Sequence, residues 1–580
     1  MGAPCAAMSL RRWYAAGRGA TLRLGAPFVA QWVMLGLVLV LVLYPVLLIV
    51  LNSFQTGRPG QAGALSLDAW RLALSDPGML SATWNTIALT LARQAIAIPT
   101  SIGLAWVLAR TDIPASEWLE FLFWIAFFLP ALPVTLGWIM LLQPEHGLVN
   151  QWLAGLPFVG SGPFNIYSFW GIVWAHLASG TIAVEVMLLT PAFRNLDATL
   201  EDAARVSGAG SLATLVGVVV PVLTPVMVVV LLLSIIHSLQ AFEIELILGF
   251  PIRLFVFSTQ IYSLIRQDPP LFPAAMALSS VILGLMLPLI VLQRWVTTRR
   301  SYTTVSGQFK AHKLQLRAWR VPIFFLVLGV GLAITVLPVT FLLITTFMKL
   351  FGFFNLPQPW TTAHWSQVTG DSIFLTSVRN TVLLAGGTAL AAVALFTGIA
   401  YVIVRTRFVG RAALDFVSWL PSTLPGIILG LGLLWLFLGS PILQPLYGTL
   451  VLLIVVTAIA SMTLGVQIIK SSLAQLSPEL EDAARMSGAS WWRSSRHVLL
   501  PLITPTLLLV GAVSFISAAR SVSTVALLAT SSTRPLSLLQ LDFMVEGRYE
   551  AAAVVGVIIV AITTAVALLA RVLGLRVGLG

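Results

Sequence analysis

Residues 201–209 read EDAARVSGA and residues 481–489 read EDAARMSGA, with eight of nine positions alike at a distance of 280 residues. Neither copy holds a nucleophile–base pair or a metal-ligand cluster; the chemistry such a stretch can do is that of a surface. Glu201 and Asp202, like Glu481 and Asp482, put negative charge in a first helical turn, where the helix dipole favours it. Glu201 with Arg205, and Glu481 with Arg485, have the four-residue spacing of a surface ion pair. Ala203-Ala204 and Ala483-Ala484 leave a small-residue face that another protein can approach closely. Gly208 and Gly488 suit a left-handed turn that ends the helix. The register continues with Pro221 matching Pro501 and Thr224-Pro225 matching Thr504-Pro505. One copy alone would read equally well as a helix lying on a bilayer. Two near-identical polar copies in otherwise divergent surroundings point to one shared docking task, carried by a short helix–turn–helix.

A second set of residues stands out against an apolar background. Arg93, His176, Glu185 and His237 fall within apolar runs, and Gln240, Glu243 and Glu245 follow the run that holds His237. Ionisable groups in such runs are costly in lipid and usually face a bundle interior. Glu185, His237, Gln240 and Glu243 are therefore candidates for a solute path, the plain alternative being satisfied interhelical hydrogen bonds. Glu185 is expected to be the only deep carboxylate, with Glu243 and Glu245 at the outer interface. The residues 280 positions later than His237, Gln240 and Glu243 are Ser517, Arg520 and Ser523, so such a path would be asymmetric.

Other chemistry is excluded. None of the four lysines (Lys310, Lys313, Lys349, Lys470) follows a glycine, so no phosphate-binding G-x-x-x-x-G-K loop exists and the chain carries no ATPase of that type. The single Cys5 rules out an intrachain disulfide or a cysteine metal cluster, and the six histidines form no H-E-x-x-H. No catalytic residue, metal ligand or bound cofactor is expected.

The elements that must position these residues are membrane spans. Of 580 residues, 58% are hydrophobic and 9% charged, and mean hydropathy is +0.96. Too few charges are present to coat a soluble globule of this size. Twelve runs near the roughly 20 residues a span requires lie at 29–53, 84–109, 117–142, 167–190, 215–239, 273–295, 321–348, 376–404, 413–438, 446–470, 498–519 and 551–572. The expected fold is all-α and polytopic, about twelve transmembrane helices in two homologous six-helix halves. Further repeats agree: Asn85-Thr86 with Asn380-Thr381, and LPALP at 129–133 with LPSTLP at 420–425. The divisions are a cytoplasmic N-terminus (1–28), a first half (29–297, loop 193–221), a basic linker (298–320) and a second half (321–580, loop 473–501). With the N-terminus inside, inner segments carry 23 Lys and Arg against 9 outside, which places both termini in the cytoplasm. The net charge of +12 is read as this topology signal, with the linker near anionic lipid headgroups, and not as nucleic-acid binding.

The repeated loop resembles the E-A-A---G---------I-x-L-P segment of inner-membrane permeases of binding-protein-dependent ABC importers. Here it reads E-D-A-A-R-V-S-G with V-V-V-P and E-D-A-A-R-M-S-G with V-L-L-P; the departures are Asp202 and Asp482, inserted in the acidic start, and Val for Ile. Both halves match a six-span permease unit. The tandem fusion is similar to ferric-iron importer permeases, with thiamine importer permeases a near relative. The resemblance implies a bacterial inner-membrane transport subunit without enzymatic activity of its own. It implies two copies of a cytoplasmic ABC ATPase gripping Glu201–Pro221 and Glu481–Pro501 and using ATP, and a periplasmic solute-binding protein delivering the solute. Ferric iron leads by architecture; thiamine, polyamine, sulfate and phosphonate-type solutes stay open. The runner-up is an ion-coupled secondary transporter with twelve spans, which needs intramembrane carboxylates and no duplicated loop.

Overall fold

The computed structural model describes residues 26–61, 63–157, 162–299 and 313–573. The basic N-terminal stretch with Cys5, the linker residues 300–312 with Lys310, and Arg576 lie outside them. The chain is an all-helical polytopic membrane protein. Among the described residues ten helices are long and apolar enough to cross a bilayer: Val29–Asn52, Pro77–Arg110, Phe169–Arg194, Leu215–Leu239, Phe272–Gln293, Arg317–Thr345, Ser372–Arg405, Leu450–Gln475, Trp491–Ala519 and Tyr549–Val572. They fall on ten of the twelve expected runs.

The other two runs, the third of each half, are not straight spans. Ser116–Phe128 meets Ala131–Leu142 at 103°, and Arg411–Thr423 meets Gly426–Gly439 at 117°. The cause lies in LPALP and LPSTLP. The residue before a proline is pushed out of the helical region, and Leu129 (ψ 134°) and Leu424 (ψ 125°), which precede Pro130 and Pro425, are extended. A further bent pair, Glu243–Ile252 and Phe257–Arg266 at 75°, lies after the fifth span, where the sequence suggested only an outer loop. It turns at Arg253, whose φ is +54°.

The halves are interlocked. The end of each half's first span packs on the second arm of the other half's bent third span. Gly137 lies so close to the seventh span that a Cβ would come within 2.1 Å of the Pro338 carbonyl oxygen; the equivalent Gly432 lies against Pro45, where it would come within 2.9 Å. Small residues permit such backbone approach in membranes, where close packing replaces the hydrophobic driving force.

The repeated Asn-Thr dipeptides have a positional task at the end of the bundle opposite the 201 and 481 loops. Thr86 Oγ1 accepts from Phe257 N at 3.0 Å and Thr381 Oγ1 from Leu536 N at 2.8 Å, each serving the N-terminus of a short helix. Asn85 Nδ2 donates to Phe255 O at 3.0 Å, and Asn380 Nδ2 to Ser532 O at 2.9 Å.

Candidate coupling loops and solute path

Each repeated segment forms a short helix, Ala198–Val206 and Glu479–Met486, ended by a glycine with φ of +84° (Gly208) or +83° (Gly488). Ala209 N donates to Ala204 O, and Ala489 N to Ala484 O, both at 3.0 Å, closing the turn alike. No heavy atom outside the local chain lies within 4 Å of a Cβ added at either glycine. The demand for glycine is therefore the backbone angle and not space. Beyond the turn, π-helical turns at Leu215–Val219 and Ser495–Leu499 lead into Pro221 and Pro501. A proline lacks the N–H for the ordinary helical bond and crowds the carbonyl four residues back, so the ladder there widens.

The acidic residues divide by role. Asp202, Asp482, Ala203 and Ala483 are exposed, while Ala204 and Ala484 are half-buried. Val206 and Met486, at equivalent positions, are 90% and 89% exposed. Glu201 and Glu481 point inward. Glu201 Oε1 lies 3.1 Å from Arg110 Nε, both side chains nearly inaccessible. Glu481 Oε1 lies 3.2 Å from Arg405 Nε. The same arginines reach the preceding turn: Arg110 Nη1 donates to Leu196 O at 3.0 Å and Arg405 Nη2 to Leu476 O at 2.8 Å. In the second loop the i, i+4 pairing expected for the first glutamate is thus secondary. In the second loop Arg485 stands 4.0 Å from Glu481; in the first, the side chain of Arg205 lies outside the described residues.

Arg110 and Arg405 end helices of 34 residues, about 51 Å at 1.5 Å per residue, well beyond a hydrocarbon core of about 30 Å. The second span of each half therefore extends past the bilayer and fastens the loop. An acid on the first arm of each bent third span braces the fourth span nearby: Glu120 to Arg194 and Asp415 to Lys470, both at 2.6 Å. Sequence reading missed these anchors, treating Arg110 and Arg405 as topology charges. The signal available was their equal distance, 295 residues, to that between the two Asn-Thr dipeptides.

The structure separates the four path candidates. Glu185 is fully buried in the fourth span, neither carboxylate oxygen taking a hydrogen bond among the described residues, with the charge of Arg93 bearing on it. His237 is exposed, with the charges of Arg93 from its own half and Arg520 from the other bearing on it. Gln240 and Glu243 tie the halves together at the end of the bundle opposite the loops. Gln240 Nε2 donates to Ser422 O at 2.8 Å, and Glu243 Oε1 accepts from Ser523 N, its own repeat mate, at 3.4 Å. Arg520, the repeat mate of Gln240, donates to Phe127 O at 2.9 Å. Two mates thus each clasp the bent third span of the opposite half. Glu245 is a correction. It is not interfacial but buried, with Oε1 2.6 Å from His176 Nε2, because the bent pair beginning at Glu243 tucks back into the bundle. Glu185 is accordingly not the only deep carboxylate. Among the described residues no group of three or more His, Cys, Asp or Glu could hold a metal ion.

This architecture is that of a polytopic membrane protein with two like loops at one end of the bundle. Residues 392–578 match the family described as "Binding-protein-dependent transport system inner membrane component". The chain is 28% identical over 512 residues to the "Probable ABC transporter permease protein y4fN" of Sinorhizobium fredii, covering 85% of this chain and 88% of that protein. It is 26% identical over 486 residues to the ferric transport system permease protein FbpB of Actinobacillus pleuropneumoniae, covering 81% of this chain and 68% of that protein. To the arabinooligosaccharides transport system permease protein AraP of Bacillus subtilis it is 30% identical over 224 residues, 38% of this chain and 68% of that protein. The chain belongs to this family of ABC importer permeases of the inner membrane, and the ion-coupled alternative falls away.

Proposed function

We propose that this chain is the translocation subunit of a ferric-iron importer, with one copy of an ABC ATPase docked on each of the two loops. A periplasmic binding protein delivers the solute at the opposite end, and both termini lie in the cytoplasm. The observation that carries the docking reading is the mirrored pair of loops, each rigidly anchored by a buried Glu–Arg pair while presenting an acidic residue, an alanine and a nearly fully exposed Val206 or Met486. An exposed apolar knob at the same place in both handles suits a protein partner. ATP is used by the partners, and their differential affinity for two arrangements of the handles drives alternation between inward and outward access. The solute reading is supported by the ferric relative matching over 81% of this chain, against 38% for the oligosaccharide relative.

The test joins assembly to transport. Native mass spectrometry of the purified complex is expected to give two ATPase copies per chain, and a deletion strain carrying this chain to take up labelled ferric iron in a vanadate-sensitive way. Gly208→Val and Gly488→Val force a side chain into the left-handed region at about 1–2 kcal/mol each, and are expected to weaken ATPase association and uptake alike. Association and uptake surviving in both variants would remove the docking role.

A further inference from the structure

At the end of the bundle opposite the loops, the two halves enclose a cavity of about 240 Å³. Its polar lining comprises Tyr262 and Arg266 from the first half, and Thr530, Ser531, Arg534 and Asp542 from the second. Arg534 Nη1 meets Asp542 Oδ2 at 3.1 Å, each side chain about one-third exposed. Arg266 is freer: its Nε donates to the Tyr262 hydroxyl at 3.1 Å and its guanidinium lies 5.2 Å from that ring's centroid. Among the described residues no carboxylate pairs directly with Arg266. Asp542 feels both arginines and also Glu546, which is itself paired with Arg548, so the cavity lining, two guanidiniums to one carboxylate, keeps a positive balance. The lining is fixed in place, since Asn380 Nδ2 also donates to Arg534 O at 3.2 Å and Thr530 N to Thr533 Oγ1 at 3.0 Å.

Duplication of the halves does not account for these charges. Phe257 and Leu536 are equivalent, each bound by the Thr of an Asn-Thr dipeptide. Counting from them, Arg534 corresponds to Phe255, Asp542 to Ser263 and Arg266 to Val545. The charged cavity is built at one of two equivalent places.

We propose that this cavity binds an oxyanion, a phosphate or carboxylate group. Guanidiniums present planar donor forks matched to such groups, and the Tyr262, Thr530 and Ser531 hydroxyls supply further donors. A bare cation would be repelled here. The anion is either a free inorganic ion or an acidic group carried by the solute; the second source rests on the ferric reading, because ferric ion at neutral pH stays in solution within anionic oxygen-ligand complexes.

Equilibrium dialysis of the purified permease–ATPase complex in nanodiscs against labelled inorganic phosphate and labelled citrate tests the site. Saturable binding of at least one probe is expected, weakened about tenfold or more by Arg266→Gln and by Arg534→Gln. Arg71→Gln, at an exposed arginine paired with Asp68, is expected to leave it unchanged, and melting curves verify that each variant is folded. Iron uptake then separates the sources. Arg266→Gln slowing uptake of ferric citrate but not of an uncharged ferric hydroxamate assigns the solute's own anion. Unchanged uptake with lost dialysis binding assigns a free anion. Absence of saturable binding, or binding that both arginine variants leave intact, overturns the site. A wild type that binds anion but takes up no iron retires the ferric reading and leaves the site standing.

Discussion

The two halves share their joints and differ in their interiors. In the first half Arg93, His176, Glu185 and Glu245 are drawn into one electrostatic neighbourhood within the bundle. Their equivalents in the second half are Thr388, Val456, Gly465 and Val525. Where Glu185 sits beside Ser101, the second half packs the ring of Phe396 against Gly465, so closely that a Cβ there would come within 2.3 Å of it. Thr388 settles for a 2.7 Å hydrogen bond to Thr457. One fold is thus built twice, once around buried ions and once around an aromatic plug. Buried ion pairs often stabilise no better than well-packed apolar groups, and the second half demonstrates that this architecture stands without them. The ionisable cluster is therefore not something this fold requires in order to form. By contrast the Arg–Glu loop anchors, the Asn-Thr ties, the π-turns before proline and the Gly–Pro crossings occur in both halves, as elements that hold the loops and the bundle together.

The harshest way to break the comparison is at the crossings. Gly137→Leu drives side-chain atoms into the Pro338 backbone and is expected to abolish folded protein by fluorescence-detected size exclusion. Gly432→Leu, with more room beside Pro45, is expected to leave a reduced but measurable fraction. The loop anchors come next. Arg110→Ala strips a buried carboxylate of its ion pair, a loss of about 3–5 kcal/mol for such pairs. Arg405→Ala should cost less, because Glu481 keeps Arg485 at 4.0 Å and a 3.4 Å hydrogen bond from the Tyr401 hydroxyl. Hydrogen exchange of the two loops should therefore rise more in the first variant, with uptake falling in the same order. Equal effects would mean the halves are anchored alike. The mildest change is Glu185→Gln, which retains shape and removes charge. It is expected to alter uptake by roughly tenfold or less, the scale of one charged hydrogen bond, without changing ATPase association. Unaltered uptake would assign Glu185 to packing.

Much of this was legible in the residues. Apolar runs marked ten spans, because a bilayer demands length and apolarity before anything else. The loops announced themselves because polar residues repeated where the apolar ones had drifted. The bends were present as LPALP and LPSTLP, yet a run of 26 apolar residues hides a break when only hydropathy is read. The anchors were harder. An arginine at a span's end has a topological explanation ready, and only folding the loop back shows that Arg110 reaches Glu201. Glu245 was not legible, because its burial depends on a helix that re-enters the bundle, and no local pattern specifies the depth of such an element.

The crossings also bear on how the chain is made. The bent arm ending at Leu142 finds its partner only when the seventh span, with Pro338, has been synthesised about 200 residues later, roughly 10–40 s at ribosomal speeds of about 5–20 residues per second. Through that interval the earlier-made portion stands in the bilayer with one flank facing lipid. Joining both portions in a single polypeptide ensures that the missing neighbour arrives from the same ribosome, in equal number, before an unrelated helix can occupy its berth.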